Sequence, residues 1–201
     1  MKRVGIMGGT FNPIHNGHIL LAREAYLQYH LDYVYVMPNK LPAYKDTNLI
    51  ISGYHRENMV RLAISQEDYL VYSDLELQRK GKTYTIDTLR ELHERYSDET
   101  YYFIMGGDSL ATFHQWYQHE AILKEAVLLC ARRGETGTSE LEQIRKEYQE
   151  RYSYARIEFL ETPDIPISSS ELRMRIAAGE DVSEWIPESV YQYILEHLLY
   201  R

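Results

Sequence analysis

The chain has 201 residues, 44% hydrophobic and 26% charged, which suits a soluble globular protein able to bury a substantial core. Its net charge of −8 argues against general nucleic-acid binding, which depends on neutralising phosphates with Lys and Arg. No apolar run approaches the ~20 residues that cross a bilayer, and the single Cys130 excludes an internal disulfide or a Cys-based zinc site.

From the N-terminus, apolar β-type runs alternate with helical patterns. Lys2-Arg3 does not open a signal peptide, because the apolar stretch after it ends at Gly8-Gly9, and a cytoplasmic location is expected. The first strand covers residues 3–7 and a helix follows over 17–29. A strand at 33–37 leads to a loop at 38–53, a helix at 54–65 and a strand at 70–73. Next come a helix at 85–96, a strand at 101–105, a helix at 119–123 and a strand at 127–131 that buries Cys130. A charged helix at 139–151, laced by Glu142–Lys146 and Glu147–Arg151, reads as a solvated face. A strand at 156–160 and helices at 168–177 and 188–197 complete the chain, and the 19 tyrosines, spread throughout, read as packing residues. Such alternation implies a mostly parallel sheet covered on both faces and joined by right-handed crossovers. The expected fold is α/β, a Rossmann-like doubly wound domain over 1–201 with a small C-terminal helical segment over 165–201.

Chemistry concentrates in Gly8-Gly9-Thr10-Phe11-Asn12-Pro13-Ile14-His15-Asn16-Gly17-His18, at the carboxyl end of the first strand. In an open α/β sheet that edge binds ligands. Glycines admit a phosphate to the backbone, and a helix start, for which Asn16 suits the N-cap, offers N–H groups to an anion. His15 and His18 add two donors that titrate near neutral pH; as a zinc pair they lack a third ligand. The segment is neither a P-loop nor a Gly-x-Gly-x-x-Gly turn. Far along the chain, Ser168-Ser169-Ser170-Glu171 has capping-box spacing, with Ser168 at the N-cap. Its hydroxyls, with Arg173 one turn on, suit a polyphosphate. Elsewhere structural readings compete: Trp116 as core, Thr85 as an N-cap, Arg56 as a buried or ion-paired residue, Arg175 as surface.

His15-Asn16-Gly17-His18 resembles the His-x-Gly-His signature of a nucleotidyltransferase superfamily, and Ile167-Ser168-Ser169-Ser170-Glu171-Leu172-Arg173 resembles its second signature, with Ser170 in place of Thr. Met37-Pro38-Asn39-Lys40, Pro42-Ala43-Tyr44-Lys45, Tyr54-His55-Arg56, Thr83-Tyr84-Thr85-Ile86-Asp87-Thr88, Gly106-Gly107-Asp108 and Trp116-Tyr117 follow in an order similar to the bacterial nicotinate-nucleotide adenylyltransferases. The resemblance implies an ATP site of Gly8, Gly9, Thr10, Phe11, His15, His18, Gly106, Asp108, Arg132, Ser169, Ser170 and Arg173. It implies a nicotinate-nucleotide site of Asn39, Lys45, Thr85, Trp116 and Tyr117. Tyr44 stands where the family carries a histidine, while Lys45 keeps the charge.

The implied reaction joins ATP and nicotinate mononucleotide into deamido-NAD and pyrophosphate by direct in-line attack. The attacking phosphate oxygen is already anionic, so positioning and charge stabilisation suffice. His18 would donate to the α-phosphate and His15 hold the triphosphate, with Lys45 and Arg173 neutralising the leaving pyrophosphate. Mg²⁺ is expected on the ATP phosphates rather than in a carboxylate cage. Nicotinamide mononucleotide and phosphopantetheine are the rival acceptors, and a silent nucleotide-binding protein is the rival class. No nucleic-acid or membrane partner is expected, and a homo-oligomer is left open.

Overall fold

Six apolar runs become the strands of one sheet in the computed structural model, which describes residues 1–40, 49–132, 138–163 and 166–201. They are β1 (Lys2–Gly9), β2 (Tyr33–Pro38), β3 (Leu70–Tyr72), β4 (Glu99–Gly106), β5 (Ala126–Arg132) and β6 (Ile157–Glu161). Their order is β3-β2-β1-β4-β5-β6, with every described pairing parallel. Chain direction across the sheet reverses at β1, which pairs with β2 on one side and β4 on the other. That reversal opens a crevice beyond the carboxyl ends of β1 and β4, where doubly wound sheets bind ligands.

The helices are α1 (Asn16–Gln28), α2 (Gly53–Ile64), α3 (Leu75–Gln78), α4 (Thr85–Arg95), α5 (Gly107–Ala111), α6 (His119–Glu125), α7 (Thr138–Arg151), α8 (Ser169–Ala177) and α9 (Glu188–Glu196), with a 3-10 turn over Phe113–Gln115. Alternation along β1 splits the core: Val4 and Ile6 join one apolar cluster and Met7 the other. Buried residues of α1, α2, α8 and α9, among them Ala22, Val60, Leu172 and Val190, pack with Met7 and Val34. Those of α4 and α6, such as Leu89 and Ile122, pack with Ile6 and Leu128 on the opposite face. The C-terminal helices thereby share a core with β1, which brings the start of α8 to the crevice.

The expected α/β, doubly wound sheet is present. Every expected helix forms, and the additional ones, α3, α5 and the 3-10 turn, are too short to show a periodic apolar face. Cys130 is fully buried, and burial pushes its thiol up to about 12, so it is inert at neutral pH. Glu142 pairs with Arg132 and Arg145 rather than with Lys146, whose partner is Glu150 at 3.8 Å.

Candidate active site

The loop leaving β1 is built from the inside out. At Gly9 a β-carbon would lie 2.9 Å from the ring of Phe11, so only glycine fits beneath that ring. Phe11 takes a left-handed backbone (φ 48°), buries its side chain and meets the ring of His18 edge-on at 5.1 Å. Asn12, 3% exposed, ties this loop to the segment before α2: its Nδ2 donates to the Leu49 carbonyl (2.9 Å) and its Oδ1 accepts from the Ile51 N–H (3.4 Å).

The N-cap of α1 is His15, not Asn16 as the sequence suggested. Asn16 is drawn elsewhere: its amide side chain donates to the Glu184 carbonyl and its backbone N–H to the Trp185 carbonyl. The two histidines form a capping box across the first turn. The His15 N–H donates to Nδ1 of His18 at 3.2 Å, which fixes the His18 tautomer with its proton on Nε2. Their rings lie 3.8 Å apart between centroids, and His15 is buried.

Across the crevice, Ser168 caps α8 as expected, accepting from the Glu171 N–H at 3.2 Å. Ser169 donates its hydroxyl to the Pro13 carbonyl (2.9 Å) and Arg173 donates Nη1 to the Asn12 carbonyl (2.8 Å). Arg173 also reaches Ser170 Oγ through Nη2 at 3.2 Å. Its fork of five N–H groups has donors beyond these two bonds for an anion. Arg175 pairs with Glu171 at 2.5 Å, a surface ion pair on α8.

These stretches enclose a cavity of about 720 Å³. Gly8, Gly9, Thr10, Phe11, His15, His18, Gly106, Asp108, Ser169, Ser170 and Arg173 all line it. Arg132 does not. Its guanidinium stacks on Phe159 and pairs with Glu142 and Glu161, while the neighbouring Ala131 and Thr162 form the wall. Lys45 and Tyr44 lie outside the described residues.

A second cavity of about 200 Å³ adjoins the first, sharing Gly8, Gly9, Thr10, Phe103, Ser109 and Trp116. Asn39, Thr85, Trp116 and Tyr117 meet there, joined by Glu76 and Thr83, which sequence reasoning had not picked for this wall. Trp116 stands edge-on to Phe103 at 5.9 Å, and Tyr117 lies against Tyr84 at 4.7 Å. Three buried polar atoms here, Thr10 Oγ1, Asn39 Oδ1 and Thr83 Oγ1, lack a hydrogen-bond partner among the described residues. Native proteins rarely leave such groups unsatisfied without a ligand or water to meet them. Thr85 is the first residue of α4, so a helix N-terminus completes the wall. Arg56 serves the site from behind, 2% exposed and bonded to backbone carbonyls rather than to a carboxylate.

Histidines from one end of the chain and a capped, arginine-bearing helix from the other converge on one nucleotide-sized cavity at a sheet switch point, which is the layout of a nucleotidyltransferase. Residues 6–175 match the cytidylyltransferase-like family. Over its full length the chain is 43% identical to the whole of a "Probable nicotinate-nucleotide adenylyltransferase" of Lachnoclostridium phytofermentans, and 36% identical to the whole of one from Clostridium tetani. The chain belongs to the nicotinate-nucleotide adenylyltransferase family. Its fold matches that of the Plasmodium falciparum nicotinic acid mononucleotide adenylyltransferase complexed with NaAD, at 24% identity and a TM-score of 0.80, covering 100% of this chain and 98% of the other.

Proposed function

We propose that the chain transfers the adenylyl group of ATP to nicotinate mononucleotide, giving deamido-NAD and pyrophosphate. The carrying observation is the pair of adjoining cavities, one lined by His15, His18 and Arg173, the other by Trp116, Tyr117 and Thr85. A dinucleotide product needs such a junction, with the reacting phosphates at the shared Gly8–Thr10 wall.

In this reading an oxygen of the mononucleotide phosphate forms a bond to the α-phosphorus of ATP. The bond to the bridging oxygen breaks in line, and pyrophosphate leaves with the electron pair. His18 Nε2–H donates to the α-phosphate, where negative charge builds up. His15, Lys45 and Arg173 hold the departing phosphates, with hydroxyls of Ser169 and Ser170 beside them. Asp108 accepts from ribose hydroxyls. We leave Arg132 as a wall support for the adenine end, since its charge is matched by two glutamates.

The acid form of the pyridine suits the smaller cavity. No Lys or Arg lines it among the described residues, but the N-terminus of α4 and the Thr hydroxyls present donors to a carboxylate. Trp116 gives the flat ring a stacking face. The ATP is read as its divalent-metal complex, with Mg²⁺ as the ion. Mg²⁺ commonly rides on nucleotide phosphates and water, and among the described residues no group of three or more His, Cys, Asp or Glu side chains could hold a metal. The shared core of β1, α8 and α9 supports a single-domain reading. No helix among the described residues is long and apolar enough to cross a membrane, and we propose a cytoplasmic location.

The test is pyrophosphate release from ATP with Mg²⁺, using nicotinate mononucleotide, nicotinamide mononucleotide and phosphopantetheine in parallel. The acid mononucleotide is expected to turn over fastest. Preference for the amide overturns the substrate and keeps the chemistry; ATP binding without pyrophosphate release by any acceptor removes the enzyme.

A further inference from the structure

Tyr200 reaches the active-site loop from the far end of the chain. Its hydroxyl donates to Asn12 Oδ1 at 2.9 Å. Because the Ile51 N–H also donates to that oxygen, both of its lone pairs are engaged. Asn12 is the hub of the loop: its carbonyl accepts from Arg173, and the next carbonyl, of Pro13, accepts from Ser169. The chain bends sharply to deliver the phenol. After α9 both Leu198 (φ 51°) and Tyr200 (φ 65°) adopt left-handed backbone, unfavourable for bulky side chains. Strain of this kind persists where the surroundings hold it in place, often at functional sites.

We infer that Tyr200 is a positioning residue of the adenylyl-transfer site, its hydroxyl holding Asn12 so that the Thr10–Pro13 backbone keeps its register with Arg173 and His18. It touches neither substrate nor reacting atoms. Asn12 anchors the loop whose Phe11 ring packs on His18, so a loosened Asn12 misplaces both the donor and the arginine. Burial keeps the phenol protonated, as its donor role requires. A purely structural role would fix the chain end to the body without favouring turnover.

The inference rests on the adenylyl-transfer reading, and its test is built to fail separately. Tyr200→Phe keeps the ring and removes only the hydroxyl. Tyr193→Phe is the control, deleting a hydroxyl bonded to His55 and Asn58 on the same C-terminal segment. With the acceptor that the unaltered protein uses best, Tyr200→Phe is expected to lower kcat about five- to tenfold, the scale of one neutral hydrogen bond. Its Tm should fall by no more than about 4 °C, the cost of one neutral hydrogen bond in a chain of this size. The control should leave kcat unchanged. In an Asn12→Ala background, Tyr200→Phe should cost nothing further. Independently of activity, hydrogen exchange of the amides over residues 10–15 should quicken in Tyr200→Phe and not in the control. Unchanged kcat and exchange, or an equal loss in both backgrounds, overturns the inference. Failure of the substrate reading shows instead in the unaltered protein, as a preference for another acceptor, and leaves the exchange measurement to decide.

Discussion

Arg56 donates from Nη1 to the Thr10 carbonyl at 2.9 Å, fastening α2 to the loop that leaves β1. The same guanidinium bonds the carbonyls of Ile51, Asn39 and Lys40, so one buried side chain gathers the loop after β1, the end of β2 and the approach to α2. Burial lowers its pKa, yet an arginine starts so high that it remains charged. Arg56→Met keeps the stem and strands these carbonyls. We expect a loss of about 3 kcal/mol, from several unmet buried acceptors. In a chain of this size that lowers Tm by about 10 °C, read by thermal unfolding. An unchanged Tm would mean water replaces the guanidinium without cost.

His18 is fixed by its neighbour rather than by its own rotamer alone. With Nδ1 accepting from the His15 backbone, the ring presents a proton on Nε2 at neutral pH. His18→Ala should lower kcat at least about 100-fold, the cost of a principal transition-state donor, with far-ultraviolet circular dichroism unchanged. His18→Asn, which can still accept from the His15 N–H, should fold equally well and recover little activity. Near-normal turnover in purified His18→Ala rejects the assignment.

The sheet was legible because its strands are buried on both faces: β5 is covered along nearly its whole length and reads as one apolar run. The two motifs that line one cavity were each legible by itself, because their features are local, a turn and a helix start. The N-cap of α1 was not, because Asn16, the better capping residue, is claimed by carbonyls of residues 184 and 185. Nor was the surrounding of Arg132, whose partners Glu142 and Glu161 follow from how α7 and β6 pack. Asn12 and Tyr200 meet across 188 positions, and nothing in the spacing of either residue announces that contact. Local chemistry was written in the sequence; the bracing of the site came from tertiary packing.

On the proposed reading, Trp116 stands between the two substrates. It lines both cavities, and its ring packs against Phe103 and Phe113, Phe103 being itself a wall of the smaller cavity. Trp116→Ala should raise KM for nicotinate mononucleotide about tenfold or more, reflecting lost stacking and apolar contact. KM for ATP should move much less, and Trp116→Phe should restore part of the difference. Steady-state kinetics with each substrate varied in turn decides it. An equal rise in both constants would assign Trp116 to general packing.

Glu76 sits 7% exposed on the wall of the smaller cavity, accepting from the Thr88 hydroxyl at 2.7 Å. Arg79 in turn donates to that hydroxyl at 2.8 Å and spends its other end on Glu91. Burial pushes the Glu76 carboxyl up to about 7, against the pull of Thr88 and Arg79. A carboxyl raised in this way binds its proton more tightly folded than unfolded. Between its ordinary value of about 4.5 and 7, the folded state therefore holds more protons, and stability falls as pH rises. The contribution is complete below the lower value and gone above the upper one. Glu76→Gln removes the titration while keeping the shape. It should match the unaltered protein in Tm near pH 4.5 and exceed it by about 10 °C at pH 8, about 3 kcal/mol of relieved buried charge. Thermal unfolding of both proteins across this range gives the comparison. If the Gln variant instead becomes progressively less stable as pH rises, Glu76 is held as an anion, and Arg79 outweighs burial.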